Sequence, residues 1–290
     1  MCRLFGFRSI IPSQVHRSLV DAENALGQKS AEHPDGWGVA YYLEGVPHLT
    51  RSPRQALGDQ LFHRLSGLVA SETVIAHVRK ATQGVISVLN CHPFQYGRYT
   101  FAHNGDVPNF GEKRELLVNE ITPSLRRMIF GETDSEVLFY LFLSRLSQYG
   151  PLRQPLGAEA IAEAIEYTDA RVRALTEDGD SAKLTMLVTD GINMVACQGG
   201  PELYFSTHKT HCSDREHCPH LRPECEAPSE TGFVNHFLVS SEPLSGENVW
   251  TALATGEIVG VDGSMRTFRR RMDAAMPKLP EREEKKLAVL

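Results

Sequence analysis

A chain of 290 residues, 41% hydrophobic and 23% charged, has the composition of an ordinary globular protein and is neither fibrous, collagenous nor wholly disordered. Thirty Lys and Arg against 36 Asp and Glu leave a formal charge of -6, so there is no basic footprint for nucleic acid or an anionic membrane, and a small-molecule or protein partner is expected. The longest strongly apolar run, residues 137–143, is too short to span a bilayer and no signal-peptide pattern opens the chain, which predicts a cytoplasmic protein.

In chain order, the first strand signal covers residues 2–8. Residues 13–28 follow with Val15, Leu19, Ala22 and Leu26 at helical spacing after a Ser cap, which predicts an amphipathic helix. Short β-branched or aromatic runs at 37–43, 73–79 and 99–103 read as strands. Val137, Leu138, Leu141, Phe142 and Leu146 restore the helical period, as does the stretch 158–175, and strand signals return at 184–189 and 235–241. Strands in runs toward both ends with helices between them predict an α+β layered domain rather than alternating βαβ units. No G-x-G-x-x-G follows a strand and no repeat is visible, so nucleotide-cofactor and solenoid readings lose support.

Two breaks in composition organise the rest. Residues 207–229 carry four His, three Cys and three Pro with little apolar content and read as a surface insertion between strands. From about residue 277 the chain is charged and Pro-containing, and 277–290 is expected to be a mobile tail. The main domain is placed at 2–268. Six cysteines in a chain of this size, with Cys2, Cys91 and Cys197 isolated in sequence, do not make a disulfide framework.

Cys2 follows the initiator Met, whose removal before so small a residue would leave a thiol and a free α-amine on one residue. Such an amine has a pKa of about 7.7–8.0 and can accept the thiol proton where a Lys stays charged. The plain alternative is a small buried hydrophobe. Three segments bear on the choice: AHVRKAT at 76–82, TFAHNGD at 100–106 and GETDSE at 131–136. Each has its own plain reading: Arg79 as a strand-end surface charge, Asn104-Gly105 as a turn pair, and Thr133 with Glu136 as a capping box.

With DGWG at 35–38, NCHPF at 90–94, LVTDG at 187–191 and SSEPLSGENVW at 240–250, these segments resemble the class II glutamine amidotransferases. Those are N-terminal-nucleophile hydrolases, and the likeness is to their stand-alone, YafJ-like branch. The resemblance implies an αββα four-layer sandwich. It also implies Cys2 as nucleophile with its α-amine as general base, and an oxyanion hole from the Asn104 side chain and the Gly105 N–H. Arg79 would hold the α-carboxylate of glutamine and Asp134 its α-ammonium. A guanidinium fork fits a carboxylate, and a carboxylate at a helix start suits an ammonium. His77 alternates with Arg79 along its strand, and with Thr82 would shape the substrate pocket; the plain reading of His77 and His103 is that of partly buried, hydrogen-bonded histidines. A Cys91-His92 dyad is discounted because adjacent residues of an extended segment point to opposite faces.

The implied activity is amide hydrolysis of glutamine or another γ-glutamyl amide through a Cys2 thioester, with release of ammonia or an amine and without a cofactor. The alternatives are a γ-glutamyl amide hydrolase of ergothioneine or glutathione metabolism, and a glutaminase subunit serving a separate synthetase partner, because too few residues follow about position 261 to form an acceptor domain. In the insertion, His211, Cys212, Cys218 and Cys225 partly suit tetrahedral zinc. No C-x-x-C occurs there, and a polar surface loop is the preferred reading.

Overall fold

The computed structural model describes residues 2–176 and 182–272; the expected tail at 277–290 and Met1 lie outside them. In chain order the elements begin with β1 (Arg3–Gln14), α1 (Leu26–Lys29), β2 (Trp37–Leu43), β3 (Val46–Ser52), α2 (Gln60–Leu68), β4 (Ala70–Val78), β5 (Phe94–Tyr96) and β6 (Tyr99–Asp106). Then come α3 (Phe110–Glu120), α4 (Pro123–Arg126), α5 (Asp134–Leu146), α6 (Ala158–Leu175), β7 (Lys183–Thr189) and β8 (Met194–Gln198). The last are β9 (Tyr204–Ser206), β10 (His236–Ser240), β11 (Thr251–Ala252), β12 (Glu257–Val261) and β13 (Thr267–Arg271).

The strands form two antiparallel sheets, one of seven strands in the order β11-β9-β10-β1-β4-β2-β3 and one of six in the order β13-β12-β8-β7-β6-β5. Side-chain alternation sorts each strand into two faces. Leu4 and Ile75 of the first sheet meet Ala102, Leu187 and Met194 of the second between the sheets. Phe5, Phe7, Val74 and Ala76 point the other way, under Phe62 of α2 and Leu19 and Leu26. Phe101 and Val188 on the outer face of the second sheet pack against Phe139 and Phe142 of α5 and Ile161 of α6. The result is the expected αββα sandwich, with a thin helical layer over the seven-stranded sheet and a thick one over the other.

Every residue of the helix α5 is buried, and its middle, residues 137–143, is apolar all round. Its start is fixed by Thr133, whose hydroxyl accepts from Glu136 N at 3.2 Å. Glu136 does not close a capping box; its carboxylate turns away to accept from Phe130 N at 3.1 Å and Gly131 N at 2.6 Å, which anchors the loop before the helix.

Two expectations need correction. Residues 13–28 are not one helix: β1 runs on to Gln14, pairing with Ser71 and Ala70 beyond an irregularity after Arg8, followed by a wide turn at Arg17–Asp21 and the single turn α1. Val15, Leu19, Ala22 and Leu26 are nonetheless buried. Their burial, not a continuous helix, is what the spacing encodes, since a marginal helix yields to strand pairing. Asn104 and Gly105 are not a turn either; β6 continues through them, with Asn104 opposite Thr185 and Gly105 opposite Leu184.

The Cys/His-rich insertion lies between β9 and β10. Its Cys212 and Cys225 are buried, and Cys225 is tied to Asn235 Nδ2 through its Sγ at 3.0 Å and to Lys209 N through its carbonyl at 2.8 Å. Among the described residues no helix is long and apolar enough to cross a membrane.

Candidate active site

The start of β1 sits beside the end of β4. Arg3 pairs with Val78, so Cys2 and Arg79 lie next to each other one residue beyond that pair, at the edge of the space between the sheets. Cys2 is buried. Its Sγ accepts from Lys80 N at 3.3 Å and lies 3.4 Å from Lys80 O. Burial pushes the thiol up from its ordinary pKa, against the Lys80 backbone hydrogen bond, the amino-terminal charge and Arg79, which pull it down. The resting sulfur is therefore a neutral thiol that needs a base.

Arg79 is not a surface charge. It is buried, and its backbone extends the β2–β4 ladder: Arg79 N donates to Gly36 O at 2.8 Å and Arg79 O accepts from Asp35 N at 3.1 Å. The DGWG motif explains this geometry. Gly36 adopts φ +132, a conformation L side chains rarely take, and Asp35 Oδ2 accepts from Ala81 N at 2.8 Å, fixing the first turn of the loop after Arg79. The guanidinium donates to Gln83 O at 2.7 Å, Gly84 O at 3.3 Å and Val85 O at 3.2 Å. Gln83 Nε2 reaches across to Asp106 Oδ1 at 3.2 Å. Asn90 of NCHPF holds the far end of the loop, donating to Val85 O at 3.0 Å and accepting from Glu132 N at 3.0 Å.

On the opposite wall, Asp134 is the first residue of α5. Its carboxylate accepts from Val107 N at 2.9 Å and from Ser135 N at 2.8 Å. Burial raises its pKa, while His103 and the two N–H donors oppose the rise. Asn104 is buried, and its Oδ1 has no hydrogen-bond partner among the described residues. Gly105 has no room for a side chain, because a Cβ there would overlap Lys183 O and His103 Nε2.

Cys2, Arg79, Thr82, Gly105 and Asp134 line one depression, together with Gln83, His103 and Ser135, and about 10 Å³ of it is free. It is nearly closed because the Arg79 guanidinium draws the loop inward. A cavity of about 510 Å³ lies on the outer face of the seven-stranded sheet, under the insertion and lined by Phe7, Cys212 and His236; it is remote from Cys2, which faces the space between the sheets.

Of the remaining candidates, His77 does not line the depression. It is fully buried between the sheets with Nε2 3.3 Å from His103 O and no partner for Nδ1 among the described residues, and burial lowers its pKa to about 3, so it is an uncharged tie between β4 and β6. The His92 ring packs on His77 at 4.2 Å between centroids, while Cys91 Sγ lies against Ser52 O at 3.5 Å and Ser87 O at 3.3 Å; the two form no dyad. Among the described residues no group of three or more His, Cys, Asp or Glu side chains is placed to hold a metal, so His211, Cys212, Cys218 and Cys225 are not brought together as ligands. Gln83, Ser135 and the roles of Asp35 and Asn90 were not singled out from the sequence. The signal available for Ser135, Asp35 and Asn90 was their position inside the quoted motifs, and Gln83 lies one residue beyond AHVRKAT.

A four-layer sandwich with a cysteine near the chain start, a strand-end arginine beside it and a helix-start aspartate across from it defines an N-terminal-nucleophile type of amidotransferase fold. The chain belongs to the class II glutamine amidotransferases, whose family model matches residues 1–283. It is 31% identical over 292 residues to a probable glutamine amidotransferase, DUG3, of Saccharomyces cerevisiae, covering 90% of this chain and 82% of the relative. It is 25% identical over 269 residues to the putative glutamine amidotransferase YafJ of Escherichia coli, covering 89% of this chain and 96% of that protein. Over a shorter stretch of 74 residues, 25% of this chain and 32% of the relative, it is 40% identical to a gamma-glutamyl-hercynylcysteine sulfoxide hydrolase of Mycobacterium tuberculosis.

Among solved structures, a glutamine aminotransferase class-II domain protein from Silicibacter pomeroyi superposes with a TM-score of 0.64 at 24% identity, covering 94% of this chain and 100% of that one. Glutamine phosphoribosylpyrophosphate amidotransferase of Bacillus subtilis superposes at 0.58 and 15% identity, covering 95% of this chain and 50% of that one. At these identities the likeness is one of fold.

Proposed function

We propose that this protein is an amidohydrolase that takes glutamine or another γ-glutamyl amide and passes its γ-glutamyl group through a thioester on Cys2. The observation that carries the reading is the convergence of Cys2, Arg79, Gly105 and Asp134, from four separate segments, on one depression. In this reading Met1 is removed and the α-amine of Cys2 takes the thiol proton. The sulfur attacks the γ-carbonyl carbon, and the Gly105 N–H and Asn104 amide oppose the negative charge that develops on its oxygen. The protonated amine then gives its proton to the leaving nitrogen as the C–N bond breaks, releasing ammonia or an amine. Water, deprotonated by the same amine, hydrolyses the thioester to glutamate.

Arg79 and Asp134 fix the amino-acid end of the substrate, and an incoming carboxylate takes over guanidinium protons now given to Gln83, Gly84 and Val85. That exchange keeps the Arg79 donors paired in both states. The stretch shared with a gamma-glutamyl-hercynylcysteine sulfoxide hydrolase supports a second reading in which the leaving amine is larger than ammonia. The same residues serve both, as they would a glutaminase subunit working with a separate synthetase.

Purified protein screened against glutamine and a panel of γ-glutamyl amides, with ammonia and amine release followed separately, tests the proposal. Glutamate production that disappears in Cys2→Ala is expected, as is labelling of Cys2 rather than Cys91 or Cys197 by a glutamine-like electrophile. Undiminished turnover in Cys2→Ala would overturn it, and copurification from native lysate tests for a synthetase partner.

A further inference from the structure

His103 touches both halves of the substrate site without carrying a step of the proposed reaction. It lies on β6 beside Asn104 and Gly105, and its ring is fully engaged. Nε2 is 2.9 Å from Lys183 O and Nδ1 is 2.9 Å from Ser135 Oγ. A carbonyl oxygen only accepts, so Nε2 donates to Lys183 O, and Nδ1 shares a hydrogen bond with the Ser135 hydroxyl. Ser135 in turn gives its backbone N–H to Asp134 Oδ1 at 2.8 Å, and its hydroxyl donates to the same oxygen at 3.2 Å. On the other side, His103 Nε2 and Lys183 O are the two groups that a Cβ on Gly105 would strike. The bond between them therefore forms the wall against which Gly105 is seated.

We propose that His103 is a positioning residue that sets both subsites at once: through Nε2 and Lys183 it seats the Gly105 N–H, and through Nδ1 and Ser135 it seats the Asp134 carboxylate. This rests on the reading that Gly105 opposes the oxyanion and Asp134 holds the substrate ammonium. The two nitrogens then carry separable consequences. The Nε2 side governs charge that develops only in the transition state and acts on kcat. The Nδ1 side governs ground-state capture of the ammonium and acts on KM.

The amide nitrogen of Gln stands near the place of Nε2 and that of Asn near the place of Nδ1, so two substitutions separate the roles. Steady-state kinetics of the full chain on glutamine are expected to show KM raised about tenfold in His103→Gln with kcat within about twofold, since one positioning hydrogen bond is lost. His103→Asn should show the reverse, with kcat lowered about tenfold or more. Ser135→Ala should raise KM as His103→Gln does, and Ser135→Thr, which keeps the hydroxyl, should restore it; this pair decides the matter if the His103 variants fail to fold. A raised KM in Asp134→Asn alongside unchanged KM in both His103→Gln and Ser135→Ala refutes the positioning role alone. Unchanged KM in Asp134→Asn refutes it together with the assignment of Asp134. Changes of kcat and KM by the same factors in His103→Gln, His103→Asn and Ser135→Ala would show a merely structural residue.

Discussion

Retention of Met1 should inactivate the enzyme while leaving its substrate contacts in place, because it turns the proposed general base into an amide. The structure makes the need for a base acute: the Cys2 thiol is buried and shifted toward its neutral form, and among the described residues its donor is the Lys80 N–H at 3.3 Å. Three buried imidazoles are poor substitutes. Burial lowers His33 to about 4 and His77 to about 3, and pushes His92 well below the ordinary histidine value, while Nδ1 of His103 is engaged by Ser135. Removing a positioned general base typically costs 10²–10⁴ in rate, or about 3–5 kcal/mol. A variant that keeps Met1, or carries an uncleaved amino-terminal extension, is expected to lose kcat by about that factor with KM changed by less than about threefold, since Arg79 and Asp134 are untouched. The base works in its neutral form, so wild-type kcat/KM should climb with pH and level off above about 8, and the variant should lack that limb. Intact-mass spectrometry reads the terminus, and coupled ammonia or glutamate detection reads the rate. Full activity in protein shown to retain Met1 would refute the mechanism.

Replacing the guanidinium fork by a point charge in Arg79→Lys should lower kcat/KM by about 30- to 1000-fold, the equivalent of roughly 2–4 kcal/mol for a desolvated charged contact; wild-type kcat/KM on every γ-glutamyl amide tested would remove Arg79 from the site. Gly105→Ala forces its new methyl against Lys183 O and His103 Nε2 and should cost about 1–3 kcal/mol in urea unfolding and about 100-fold or more in kcat. A stable, fully active variant would mean that the Gly105 N–H does not hold the oxyanion. Asp59, the N-cap of α2, gives a pH prediction: burial acts to raise its carboxyl, but hydrogen bonds from Leu61 N, Trp37 Nε1 and Ser52 Oγ outweigh it and hold the pKa below the ordinary value. A depressed carboxyl adds stability above its unfolded pKa that is lost as pH falls through the folded one. Asp59→Asn should therefore lower the melting temperature at pH 7 and flatten its fall below about pH 4, and parallel wild-type and variant curves down to pH 2 would contradict the assignment.

Much of the layered frame was legible because buried strands leave a period of two in the sequence and buried helix faces a period of about 3.6. The stretches 37–43 and 158–175 coincide with β2 and α6, and Val74, Ala76 and Val78 alternate with Ile75, His77 and Arg79 along one extended segment. The same logic placed His77 and Arg79 on one face. It misled at 13–28, where Val15, Leu19 and Leu26 reach the core under Phe62 from just past a strand end, from a wide turn and from a single helical turn. Short strands such as β5, β9 and β11 left no readable pattern, since two or three residues carry no period.

What the sequence determined by itself was the set of chemical groups: an amino-proximal thiol, a guanidinium ending an apolar strand, an Asn-Gly pair, and an aspartate opening a buried helix. These are local properties, legible from neighbours a few positions away. Their assembly was decided by tertiary structure. Whether Asn104-Gly105 is a turn or a strand depends on β7, which lies some 80 residues downstream in the pairing of Asn104 with Thr185. Whether Arg79 is a surface charge or a buried fork depends on Asp35 and Gly36 closing over its backbone. His103 gained its place in the site only when β6, β7 and α5 met around one imidazole. Backbone pairing and burial act between residues far apart in the chain, and a single sequence records only one side of each such contact.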